Sequence, residues 1–159
     1  MAYDAFLKLD DVNGEVQDSQ FEKWIEVFSF SWGASNSGVS ATGGGGAGKV
    51  SFQDLHITKP TDKSSAQLFL KCANGAHFQK ADLHVRKAGG DPAGASSVFL
   101  KIELVDVLVS SVQFEGATQG DDRPSEDVTF NFGKIYYEYD ASDGEVDRFS
   151  WDLAQNAVP

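Results

Sequence analysis

A single cysteine, Cys72, stands in a chain of 159 residues. No disulfide can form within the chain, and nothing in it demands an oxidising compartment for folding. A lone thiol of this kind reads as a small buried hydrophobe. Long apolar runs are also missing, since no stretch reaches the ~18 residues that a membrane-spanning helix needs. The opening, MAYDAFLKLDD, has neither the basic start nor the uninterrupted apolar stretch of a secretory leader, so any export is expected to follow a route that reads no cleavable signal. Positive charge is scarce: 13 Lys and Arg face 24 Asp and Glu, for a formal net charge of −11. That excess repels phosphate backbones and anionic headgroups, which argues against nucleic acid and against membrane insertion. The three histidines, His56, His77 and His84, show no i, i+4 spacing and no carboxylate companion typical of a metal or acid/base site. They read as polar strand or loop residues, and neither a cofactor nor a metal is expected.

What the chain does contain is period-2 alternation. Tyr3, Ala5, Leu7 and Leu9 alternate with Asp4 and Lys8. Residues 24–32 carry Phe28, Phe30 and Trp32 on one phase and Ile25 and Val27 on the other. Further strands are predicted over 50–58, 81–87, 97–114, 127–139 and 145–153, all rich in β-branched or aromatic residues. About seven or eight strands in one domain spanning residues 1–159 point to a mainly β fold, an antiparallel β-barrel. Within 97–114 the apolar phase passes from Val98, Leu100, Ile102 and Leu104 to Val105, Val107 and Val109, which predicts a bulge or sharp coil near Leu104. A similar change from Phe130 and Phe132 to Ile135, Tyr137 and Tyr139 crosses Gly133, a residue that permits a bend. Asp143-Gly144 suggests a type I′ hairpin turn. One helix is expected after Pro60, with Asp62 as N-cap, an apolar stripe at Ala66, Phe69, Leu70 and Ala73 facing the barrel, and Asn74-Gly75 as its stop.

The catalytic motifs fail one by one. SATGGGGAGKVSFQD, residues 40–54, approaches the phosphate-binding G-x-x-x-x-G-K-[ST] pattern. However, Val50 stands where a hydroxyl should hold magnesium, and a strand follows instead of a helix whose N-terminus could bind phosphate. Gly33 to Gly38 is one residue too long for a nucleophile elbow and lacks an α/β setting. Asp121-Asp122 and Glu126-Asp127 frame Arg123-Pro124 in what reads as a solvated connection. Residues 140–147 do not place acids at the alternating positions of a calcium loop. An enzyme would regain favour only through perturbed acidities at His84 or Asp121 in a cleft. What remains is apolar surface: 24–32, 98–109 and 135–139 carry large residues on both phases, more than one barrel face accepts, which suggests burial against another protein.

The chain resembles the hemolysin-coregulated proteins that form the inner tube of the type VI secretion system. The resemblance is carried in order by AYDAFLKLDDVNGEVQD, WIEVFSFSWGASNSG, GKVSFQDLHITKPTDKSSAQLFLKCANG, FQKADLHVRKAGG, FLKIELVDVLVSSVQFEG and EDVTFNFGKIYYEY. Two departures are Phe21, where members often have histidine, and Ala66, where they often have proline. The resemblance implies a β-barrel with one flanking helix, a hexameric ring with an open centre, and stacking of rings into a tube driven by a contractile sheath and tipped by spike proteins. It further implies delivery of effectors, some within the lumen, no enzymatic activity, and secretion from the cytoplasm without a signal peptide. By that likeness Ser37, Gly38, Ser40, Gly43, Gly44, Gly45, Gly46, Gly48 and Lys49 are candidates for a ring-stacking loop. Trp24, Phe28, Phe30, Trp32, Val105, Val107 and Val109 are candidates for the subunit interface, on outward strand phases. The competing reading is a monomeric, lectin-like ligand-binding barrel that uses exposed Trp and Tyr as stacking surfaces.

Overall fold

The computed structural model describes residues 3–38, 49–88, 98–120 and 122–159. Its elements in chain order are strands β1 (Tyr3–Leu9), β2 (Ile25–Val27), β3 (Ser29–Ser31), β4 (Ala34–Asn36), β5 (Val50–Phe52) and β6 (Leu55–Pro60), helix α1 (Ser65–Asn74), then β7 (His77–Lys87), β8 (Val98–Glu115), β9 (Ser125–Asp140) and β10 (Val146–Asp152). All strand pairs are antiparallel, in the order β2-β1-β7-β8-β9-β6-β3, with β10 added to β9. Because β2 and β3 are separated only by Phe28, the sheet returns on itself as a nearly closed barrel. The inner face packs Leu7, Leu9, Ile25, Leu55, Ile57, Leu83, Ile102, Leu104, Val107 and Phe130 into one core. This is the predicted mainly β barrel with one flanking helix.

Three local breaks decide which side chains reach that core. At Phe28 the predicted strand 24–32 divides: β2 pairs with β1, and β3 pairs with β6. Ile25 and Val27 on one phase, and Phe30 and Trp32 on the other, all turn toward the core, while Phe28 is left 58% exposed. In β8, Asp106 takes φ 59°. Leu104 before it and Val107 and Val109 after it are all buried. Opposite Asp106 lies Gly133 in β9, where an added Cβ would come within 3.3 Å of the Asp106 Cβ. The pairing holds through the bend, Val105 opposite Lys134 and Val107 opposite Phe132, so the two strands bend together and Phe132 and Ile135 both face inward. Large residues on both phases thus signal chain breaks that bring both phases into the core, and most of the apparent surplus is intramolecular.

The helix also differs from its predicted orientation. Leu68 is fully buried and Cys72 packs beside the core, whereas Phe69 and Leu70 are 42% and 51% exposed, and Ala66 and Ala73 are exposed too. The stripe exists but faces outward. Ser64 is the N-cap, without a side-chain cap bond. Asp62 supports the turn instead, its Oδ1 accepting the Ser64 N–H at 2.8 Å and bonding the Ser64 hydroxyl. Gly75, at φ 68°, donates its N–H to the Lys71 carbonyl and stops the helix. The β9–β10 turn is longer than a two-residue hairpin: Asp140 pairs with Val146, and positive φ falls on Ser142 and Gly144.

Candidate assembly surfaces

Helix α1 lies at the end of the barrel where β6 stops and β7 and β9 begin. Beneath its first turn Lys59 is wholly buried, its Nζ 2.7 Å from Glu126 Oε1 and 3.2 Å from Asp62 Oδ1. The same ammonium donates to the Pro60 carbonyl at 2.9 Å and to Ser65 Oγ at 3.2 Å. Glu126 is therefore no part of a solvated loop; it lies inside β9. A signal was present: Lys59 shares its strand phase with Leu55 and Ile57, and Glu126 shares its phase with Val128 and Phe130, so each is a charge on an otherwise core-facing row.

The opposite end of the barrel is aromatic. Tyr3 meets Phe30, with ring centroids 6.2 Å apart. Trp32 meets Tyr137 at 6.2 Å and Phe52 at 6.4 Å, Phe52 meets Phe149 at 6.2 Å, and Phe99 meets Tyr139 at 6.5 Å. Tyr3, Tyr139 and Phe149 remain exposed at its margin. Asp143 and Glu145 lie in the turn after Tyr139, while Asp140 ends β9 and Asp147 lies near the start of β10, with Arg148 next in the chain.

The interface candidates fall in different places. Phe28 is exposed, and Phe30 and Trp32 join the aromatic end, half-buried. Val107 and Val109 are core residues, because the bend at Asp106 restores them to the inner face; Val105, on the bend, is half-buried. Trp24 belongs to neither surface. It stands on the outer side of the sheet with Phe21 at 4.9 Å and His84 at 4.9 Å, while Phe21 stacks on Phe6 at 4.4 Å. Arg86 covers this small cluster, 5.1 Å from the Phe6 ring, and binds Asp18 at 3.0 Å. Phe21 is therefore a packed residue in its own right. Of the loop candidates, Ser37, Gly38 and Lys49 flank β4 and β5, a separate two-stranded arm with Ala34 opposite Phe52 and Asn36 opposite Val50. Gly38 donates its N–H to Asn36 Oδ1 at 2.9 Å. Ser40, Gly43, Gly44, Gly45, Gly46 and Gly48 lie outside the described residues, as does Asp121.

Two of the three histidines have acidic partners that only the fold supplies. His56 Nε2 lies 3.0 Å from Asp127 Oδ1, and His77 Nδ1 lies 2.7 Å from Asp106 Oδ1. Neither pair is joined by a third ligand; among the described residues no three His, Cys, Asp or Glu side chains gather as a metal site. His84 has the perturbed acidity that would favour an enzyme. Burial, reinforced by Lys101 and Lys80, holds its pKa down at about 4. A ring so weakly basic, packed against Trp24 and Phe21, acts as a neutral member of an aromatic cluster. His84, Lys101 and Glu138 also line two adjoining shallow grooves of about 430 and 370 Å³ on the outer face, the place a ligand-binding barrel would use.

The profile of the family described as "Type VI secretion system effector, Hcp" matches residues 6–139. The protein hcp1 of Pseudomonas aeruginosa is 43% identical over 163 residues, covering 98% of each chain. A solved structure described as a type six secretion system protein is 34% identical with a TM-score of 0.85, over 98% of this chain and 99% of that one. Hcp1 from Salmonella typhimurium is 31% identical with a TM-score of 0.81, over 98% and 99% of the two chains. No helix among the described residues is long and apolar enough to cross a membrane.

Proposed function

The chain belongs to the Hcp family of type VI secretion proteins, and on that premise we propose that it is the structural subunit of a secretion tube. Copies close into a hexameric ring with an open centre, and rings stack into a conduit that a contractile sheath drives and a spike tips. Effectors travel in the lumen, and the protein itself leaves the cytoplasm without a cleavable leader. The chain contributes walls and contacts to this process and no catalysis. The β4–β5 arm, with the glycine-rich residues beyond it, is the element that reaches a neighbouring ring. The observation that carries the reading is exposed apolar surface at two separated places on a well-packed barrel: the aromatic end, and the outward face of α1. Large apolar groups clustered at a surface mark sites of association, and unlike patches on one subunit are what ring closure and head-to-tail stacking require.

Negative-stain electron microscopy of the purified chain tests this directly, with analytical ultracentrifugation alongside. Rings with six-fold symmetry and a central hole are the expected result. A species that stays at monomer mass at micromolar concentration and shows no rings rejects the tube subunit and favours a ligand-binding barrel that uses the His84–Lys101–Glu138 grooves.

A further inference from the structure

We propose that the outer face of the sheet binds a neutral, linear oligosaccharide, laid across the two adjoining grooves that share His84, Lys101 and Glu138. Both grooves lie within a single subunit, so this binding does not rest on the tube reading. Strand register builds them. His84 on β7 lies opposite Lys101 on β8, Lys101 opposite Glu138 on β9, and Glu138 opposite Arg148 on β10. Directly opposed residues share a face, so these four form one row across the outer surface. The row beside it, two residues along each strand, is Asp82, Glu103, Tyr136 and Ser150.

Much of the hydrogen-bonding capacity of this face is unused. Among the described residues no hydrogen bond or ion pair engages the Lys101 ammonium, and no hydrogen bond engages the His84 ring or the Tyr136 hydroxyl. Burial, reinforced by Lys101 and Lys80, holds the His84 pKa at about 4, so at neutral pH the ring offers one N–H donor and one acceptor nitrogen. Charge then selects the class of ligand. Lys80 bridges Asp82 and Glu103 at 3.6 and 3.5 Å, and Arg148 meets Glu138 at 3.3 Å. With Lys101, three cations stand against three carboxylates. In a chain of net charge −11 this patch is balanced, so a charged ligand gains little from its field. Hydroxyl groups gain from both signs, because each can donate to a carboxylate and accept from an ammonium.

Aromatic rings supply the apolar contact. Trp24 and Phe99 line the groove of about 370 Å³, and Tyr136 and Phe149 line the groove of about 430 Å³. Both volumes are in the range of small-ligand clefts, and an aromatic ring packs well on the C–H face of a sugar. Two grooves of similar size, each with its own rings and joined by a shared polar row, suit a molecule built of repeating units.

The test is titration calorimetry of the full chain with cellotetraose, chitotetraose and maltotetraose, with the matching disaccharides as short controls and tetragalacturonate as an anionic one. At least one neutral tetrasaccharide is expected to bind about tenfold or more tighter than its disaccharide, which can fill only one groove, and tighter than the anion. Tyr136→Ala and Lys101→Ala, both at exposed positions, should each weaken that binding about fivefold or more, while the thermal midpoint stays near the parent's. No binding by any of the three neutral tetrasaccharides at millimolar concentration overturns the proposal. Preference for tetragalacturonate overturns it too, as does binding that either substitution leaves unchanged.

Discussion

At the end of the barrel where β6 leads into α1, a lysine and two carboxylates are sealed from water; at the other end the sheet is closed by aromatic rings that stay half in water. Lys59 meets Glu126, Asp62, Ser65 and the Pro60 carbonyl at set distances, so that end accepts one arrangement of helix on sheet. Taking those charges from water is costly, and their attraction repays the cost only while every partner stays in place. The rings at the far end gain from contact in several geometries. A surface of that kind can receive a neighbour without first breaking bonds within its own subunit. One end is built for a single internal fit, and the other can be completed from outside.

The largest expected effect tests the sealed end. Lys59→Met removes the cation and leaves Glu126 and Asp62 facing each other in a dry site, with an expected loss of about 3–5 kcal/mol. Urea unfolding should show a much lower midpoint with little change in slope. Tyr3→Ala at the open end, where the ring is 56% exposed, should lose less than about 1 kcal/mol in the same assay. Equal losses from the two variants would abolish the distinction between the ends.

The two faces of the helix allow the same comparison on one element. Leu68→Ala empties a fully buried site and should lower stability by about 2–5 kcal/mol. Leu70→Ala, two residues on and half in water, should stay within about 0.5 kcal/mol in the dilute, unassembled protein. Thermal unfolding of both variants at submicromolar concentration decides it. A larger loss for Leu70→Ala would mean that the stripe serves the subunit's own core, as its periodicity alone suggests.

That reversal shows what the sequence could and could not reveal. The barrel was legible because alternation with a period of two survives along β1, β7, β8 and β9, and because Gly133 and the change of phase near Leu104 marked where strands bend. The consequence of the bends was misread: a switch in phase looked like apolar residues on two faces, while in space it keeps Leu104, Val107 and Val109 on one. Helical spacing located the stripe at Ala66, Phe69, Leu70 and Ala73, but a period reports that a face exists and not which partner covers it. The Lys59–Glu126 pair joins strands far apart in the chain, so only the odd charge on each apolar row hinted at it. The acidic partners of His56 and His77 come from β9 and β8 and left no trace in local spacing.

Acid sharpens the contrast on the outer face of the sheet. Folded His84 is held at about 4 by burial and by Lys101 and Lys80, against an ordinary value of 6.5. Between those values the unfolded chain takes up a proton that the folded chain refuses. The contribution is therefore intact above about pH 6.5 and falls as pH drops toward 4. Allowing for solvent screening around a half-buried ring, the loss is on the order of 1–2 kcal/mol. His84→Gln should flatten the stability profile between pH 4 and 6.5 relative to the parent. An unchanged slope would assign the acid sensitivity to other groups.

The smallest effect on the fold is expected from the glycine-rich residues. Removing Gly43 to Gly46 alters a connection whose described flanks, β4 and β5, pair with each other and not with the barrel sheet. Lengthening or shortening such a connection changes its closure entropy by well under 1 kcal/mol, so the thermal midpoint of the isolated subunit should barely move. The effect should fall on assembly instead. If the arm reaches from one ring to the next, the deletion leaves single rings and shortens stacks in electron micrographs. Long tubes from the deletion protein would show that stacking does not depend on the glycines, and would leave the barrel ends to hold the rings together.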